Sequence, residues 1–177
     1  MKYVALLRGI NVGGNSLIKM SELKIAFEKL SFENVITYIN SGNVIFESDD
    51  SPAKIKSDIE KSLIKNFKLE IKIMLRSHKE IKNTLNNVPS DWKNKKDLRC
   101  YIAFVRDPST PADVISETTL REGIDAIKEG PGVVYMTTKL SGITKSGFSK
   151  LASKKIYKEI TIRNYTTAEK LLSLMEK

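Results

Sequence analysis

Apolar and polar positions recur along this chain with two periods, and the switches between them set its elements. Residues 3–7 (YVALL) are almost unbroken apolar and read as a buried first strand. Leu23, Ala26, Phe27 and Leu30 fall at helical spacing behind Ser21 as N-cap, with Met20 and Ile25 at the two positions of a hydrophobic staple. Residues 35–39 and 44–46 flank Asn40-Ser41-Gly42-Asn43, a hairpin turn, because Gly and Asn tolerate positive φ. Ser51-Pro52 opens a second helix, with Ile55, Ile59, Leu63 and Phe67 spaced by four. Ile71, Ile73 and Leu75 then alternate as a fourth strand. The order is βαββαβ, the split βαβ arrangement of a ferredoxin-like unit.

A connecting helix is predicted over 77–88 (Ile81, Leu85, Val88), and 89–97 is a polar, turn-rich boundary. The first order then repeats. Residues 99–105 form a strand, Thr110-Pro111 caps and starts a short helix through Ile115, and 123–127 and 133–137 pair around Glu129-Gly130-Pro131-Gly132. A basic helix over 147–157, a short strand over 160–163 and a final helix over 166–175 follow. That last helix is given a Thr166–Glu169 capping box and a buried stripe of Ala168, Leu171, Leu172 and Met175. The fold class is therefore α+β: two ferredoxin-like (βαββαβ) subdomains with antiparallel sheets, plus a connecting helix and a C-terminal helix. Residues 1–76 make the first half, 77–98 the linker and 99–177 the second half.

Composition narrows the function classes. A hydrophobic share of 41% over 177 residues is ample for a core, and no apolar run approaches the roughly 20 residues that span a bilayer. The few apolar residues after Lys2 are too short for a secretion signal, so the chain is expected in the cytoplasm, without a membrane partner. One cysteine, Cys100, and one histidine, His78, exclude an internal disulfide and the usual Cys/His zinc sites; no metal or cofactor is expected. The net charge is +9, and residues 139–177 hold nine Lys and Arg against three Asp and Glu. That excess favours anionic partners near the C-terminus, although lysine on a solvated surface has the same appearance.

Candidate chemistry concentrates in residues 6–19, LLRGINVGGNSLIK, where a long loop holds cations, amides and three glycines between two regular elements. Gly9 and Gly14-Asn15-Ser16 are one residue from a phosphate loop, but the lysine that reaches the β and γ phosphates is missing. No G-x-G-x-x-G occurs, so a dinucleotide fingerprint is excluded. What remains is backbone N–H groups of adjacent glycines acting with Arg8 and Lys19 on a phosphate or carboxylate, against a purely structural loop. The small-anion reading takes Arg8, Asn11, Gly13, Gly14, Asn15 and Lys19, with Asn40, Ser41 and Asn43 from the hairpin turn. Arg163 and Asn164 join them, because they precede a helix N-terminus where free N–H groups favour an anion. A structural ion pair is the alternative for Arg163, and turn chemistry the alternative for 40–43.

A second class is a nucleic-acid or polyanion module using Lys145, Lys150, Lys154, Lys155 and Lys158, of which 150, 154 and 158 share a face if the segment is helical. It lacks the aromatic-rich strand of sheet-face RNA readers. A third class is a scaffold with no ligand. His78 reads as a surface histidine, Cys100 as a buried thiol, Asp49-Asp50 as turn chemistry and Trp92 as a cover over the seam between halves. Catalysis is left open.

Three pieces, VALLRGINVGGN at 4–15, TYINSGNVIF at 37–46 and TIRNYTT at 161–167, resemble the bacterial family catalogued as domain of unknown function 1697. The resemblance implies two ferredoxin-like subdomains and carries no established activity or cofactor. It departs at Tyr165-Thr166, where relatives usually show Trp-Asn, and at Asn15, where many carry Lys or His.

Overall fold

A computed structural model describes residues 1–11, 17–94 and 96–177. The chain divides into two compact units, Met1–Ile81 with Leu171–Lys177, and Lys82–Lys170. Each contains one four-stranded antiparallel sheet, as the alternation of apolar runs and turns implied.

In the first unit β1 (Lys2–Leu6) is followed by α1 (Met20–Glu28), β2 (Glu33–Tyr38), β3 (Asn43–Glu47), α2 (Pro52–Phe67) and β4 (Met74–Ser77), with strand order β2-β3-β1-β4. Val4 sits opposite Ile45 on one side and Arg76 on the other. Tyr3, Ala5, Leu7, Val44 and Phe46 share one face and pack with Leu23, Phe27, Ile55, Ile59 and Leu63. Phe46 stacks on Phe32 at 4.4 Å between ring centres and meets the edge of Phe27 at 5.5 Å. Val4, Leu6, Ile45 and Met74, on the opposite face, are buried as well, which is why β1 is an apolar run rather than an alternation.

Two local expectations fail here. Helix α1 starts at Met20, with Lys19 at the N-cap and no side-chain cap, so Ser21 lies inside the first turn and the exposed Ile25 forms no staple. Strand β4 begins at Met74 instead of Ile71. The Ile73 N–H donates to Glu60 on α2 at 3.3 Å, and the Lys72 ammonium to the same carboxylate at 2.7 Å, which ties the approach to β4 to the helix rather than to the sheet. Ile73 is still buried in the core. The start of α2 is as expected: Ser51 accepts the Lys54 N–H at 3.3 Å and Pro52 stands first in the helix.

The second unit runs β5 (Leu98–Val105), α4 (Pro111–Glu117), β6 (Asp125–Gly130), β7 (Val133–Lys139) and β8 (Ile160–Asn164), in strand order β6-β7-β5-β8. In the chain, α3 (His78–Asn86) comes before β5 and α5 (Tyr165–Met175) follows β8. Ala103, Val105, Val134 and Met136 form the core with Val114, Leu151 and Ile160. Thr110 and Asp113 make a reciprocal capping box at the start of α4. Strands β6 and β7 extend further than the sequence suggested, leaving only Pro131-Gly132 as the turn.

No α-helix occupies 147–157. The chain makes three 3₁₀ segments instead, Leu140–Lys145, Gly147–Ser153 and Lys155–Glu159, separated by Ser146 and by extended Lys154. Tertiary contacts override the helical period. Asp125 accepts from the Ser146 hydroxyl and the Gly147 N–H, each at 2.7 Å, and from the Arg121 N–H at 2.9 Å. A Cβ on Gly147 would stand 2.3 Å from the Thr119 carbonyl oxygen, so this backbone approach is open only to glycine. Positions 150, 154 and 158 therefore do not form one helical face. At the C-terminus α5 begins at Tyr165, which places Thr166 within the first turn rather than at the cap. Among the described residues no helix is long and apolar enough to cross a membrane.

Candidate functional site

The chain leaves β1 against the β2–β3 turn. The Leu7 N–H donates to the Gly42 carbonyl at 2.7 Å, and Gly42 has φ +77. A Cβ there would lie 2.7 Å from Ile10 Cδ1 and 2.8 Å from Leu7 Cβ, so glycine lets the turn rest directly on the loop. Asn11, also left-handed at φ 55, completes the junction. Its Nδ2 donates to the Ile18 carbonyl at 3.0 Å and to the Asn40 carbonyl at 2.8 Å, while its Oδ1 accepts the Ile18 N–H at 2.8 Å. One side chain thus closes the ends of the glycine loop and fastens them to the hairpin.

Asn43 is fully buried and donates to the Tyr38 carbonyl at 3.0 Å and the Ser41 hydroxyl at 3.2 Å. The amide donors of Asn11 and Asn43 therefore hold backbone and a neighbouring hydroxyl; these two residues shape the place rather than present donors to a ligand. Arg8 stands half-buried at the start of the loop, Ser41 is half-buried in the turn, and Asn40 is exposed beside it. Lys19 is exposed and lies 3.8 Å from Glu22. Gly13, Gly14 and Asn15 fall outside the described residues.

Arg163 belongs to the second unit, on β8 opposite Ile102. It is buried, its Nη1 donates to the Ile162 carbonyl at 3.0 Å, and burial pushes its guanidinium down to about 10, which leaves it charged at neutral pH. Asn164 is exposed at the end of the same strand. The first unit has a counterpart: Arg76 on β4, opposite Val4, donates to the Leu75 carbonyl at 2.9 Å.

All five lysines of the proposed polyanion patch, Lys145, Lys150, Lys154, Lys155 and Lys158, are exposed, and Lys154 reaches Glu117 at 3.6 Å. Trp92 is buried within the second unit, where its indole N–H donates to Thr137 at 2.9 Å and its ring meets Tyr135 and Tyr165 edge-on. A base has no face of it to stack on. The Tyr135 hydroxyl donates to the Thr84 carbonyl at 2.7 Å, and burial pushes its pKa up to about 12. His78 approaches Glu176 at 3.8 Å, and Cys100 is half-buried rather than enclosed. Among the described residues no group of three or more His, Cys, Asp or Glu side chains is placed to hold a metal ion.

The clasp was invisible as such in the sequence, although both asparagines stood in segments already singled out. Residues 1–135 match the family described as "protein of unknown function (DUF1697)". The chain belongs to that family. The DUF1697 match takes in the glycine loop and the hairpin turn and ends before the lysine-rich stretch and Arg163. Among solved structures this DUF1697 chain is similar to the conserved bacterial protein SP0830 from Streptococcus pneumoniae, at 28% identity and a TM-score of 0.86 over 98% of each chain. No curated protein matches it.

Proposed function

We propose that this protein binds a small anion, carrying phosphate or carboxylate, on the platform that the β1 loop and the β2–β3 turn make in the first unit. The observation that carries the reading is the Asn11–Asn40 hydrogen bond of 2.8 Å, which joins two separately recognisable sequence segments. Arg8 and Lys19 supply the charge on the platform. Asn40 and Ser41 line its turn side, and Gly13, Gly14 and Asn15 belong to the same loop. A guanidinium offers two parallel N–H donors to such a group, stronger than neutral hydrogen bonds. Arg163 and Asn164 are a second anion-competent pair, on β8.

The same proposal extends to ancestry: each unit is a ferredoxin-like half, and the two arose by duplication. The shared strand order supports this, as does the matched pair Arg76 and Arg163, each on the fourth strand, opposite the first, and donating to the carbonyl of the residue before it.

A thermal-shift screen with phosphate, pyrophosphate and small carboxylates tests the binding. At a ligand concentration one hundred times Kd, stabilisation is about 2.7 kcal/mol, or roughly 5–10 °C in Tm for a protein of this size. Arg8→Lys keeps the charge but loses the planar fork, and lowers the affinity roughly tenfold. A flat screen on the unaltered protein contradicts the reading. The five exposed lysines favour a second reading, polyanion binding; it requires retardation of RNA or DNA at low salt that fades steeply as salt rises.

A further inference from the structure

The turn that Asn11 fastens contains an unusual residue. Ile39 has φ 49, in the left-handed region, where a β-branched side chain crowds its own backbone. Elsewhere at this junction the left-handed positions are taken by Gly9, Asn11 and Gly42, the residue types that adopt that region most readily. Nor does the Ile39 side chain gain burial in exchange, for it is 47% exposed. The fold holds it there from both sides: Asn43 donates to the carbonyl of Tyr38 just before it, and Asn11 to the carbonyl of Asn40 just after it. Asn43 is fully buried, so letting the turn relax would take from a buried amide one of its acceptors.

A second apolar side chain stands nearby. Asn11 bonds both the N–H and the carbonyl of Ile18, and Leu17, next in the chain, is 76% exposed. Asn11 thus ties the backbone beside Leu17 to the backbone beside Ile39, within the segments that also hold Arg8 and Lys19. Strain of this kind persists where the surroundings over-determine it, and it clusters where a ligand is held.

We propose that the anion held on this platform carries an apolar group, as an aryl or alkyl phosphate or carboxylate does. Ile39 and Leu17 are its apolar contact and Ile39 is the residue that sets specificity. This rests on the anion-binding reading above and adds the class of ligand to it. Covering on the order of 60 Å² of apolar surface corresponds to about tenfold in affinity.

The test is a calorimetric titration of the full-length protein with two matched probes, inorganic phosphate and phenyl phosphate. Phenyl phosphate is expected to bind about tenfold more tightly. Ile39→Asn, a residue at ease with positive φ, is expected to remove that advantage and to raise the ligand-free Tm by about 2–5 °C as the strain disappears. Equal affinity for the two probes overturns the apolar contact and leaves the anion site standing. Equal losses for both probes in Ile39→Asn show that the residue only shapes backbone, and overturn it too. No binding of either probe overturns the anion reading itself.

Discussion

The two units reach the same strand order by different means in the connection between their third and fourth strands. In the first unit that connection is α2, sixteen residues opened by Ser51 and Pro52, with Ile55, Ile59 and Leu63 buried on one stripe. In the second it is a run of 3₁₀ segments whose only buried side chain between 147 and 159 is Leu151, and whose course is fixed by Asp125 and by the close approach of Gly147 to Thr119. A sheet of this order needs the connection to cover one face; it does not need it to be an α-helix. One unit meets the need with side-chain burial, the other with a buried glycine and a charge-assisted set of backbone and hydroxyl donors.

Point substitutions separate these two modes. The largest effect is expected for Ile59→Ala, which opens a cavity in the first core and costs about 2–5 kcal/mol in a urea melt. Gly147→Ala follows at roughly 2–3 kcal/mol, because backbone rather than a flexible side chain stands in the way of the new methyl group. If Gly147→Ala were neutral, the 3₁₀ path would not depend on that contact.

A smaller, pH-dependent effect belongs to Asp125. Partial burial works against its charge, but the donors from Arg121, Ser146 and Gly147 outweigh that and hold its carboxyl below the usual 3.8. A carboxyl depressed in the folded state contributes stability that is complete above its unfolded value and is lost as pH falls through the folded one. Tm should therefore fall below about pH 4 more steeply in the unaltered protein than in Asp125→Asn, and parallel curves would refute this. The smallest effect is expected for Lys154→Ala, which removes an exposed pair with Glu117 and changes stability by about 0.5 kcal/mol or less.

The same contrast decides what the sequence made legible. Period-two runs and spacing by four identified the strands and α2, because each buries its own stripe: Val44 and Phe46, or Ile55, Ile59 and Leu63. The segment 147–157 misled, because its path is set by Asp125, more than twenty residues earlier, and not by its own period. Part of the candidate site was legible in the same way. Gly42 and the asparagines announce unusual backbone locally, but the bond from Asn11 to Asn40 spans 29 positions and follows from no local pattern. Ile39 ran against pattern altogether: an isoleucine at the end of a strand predicts more strand, whereas here it occupies the turn.

The proposed anion platform is tested most directly by titrating pyrophosphate into ¹⁵N-labelled protein and following backbone and side-chain amide resonances. Saturable shifts confined to residues 8–11, 17–19 and 39–43, with the Asn11 side-chain amide among them, are expected. Shifts gathered instead over residues 145–158, or no shift at any concentration, would contradict a site at the loop and turn.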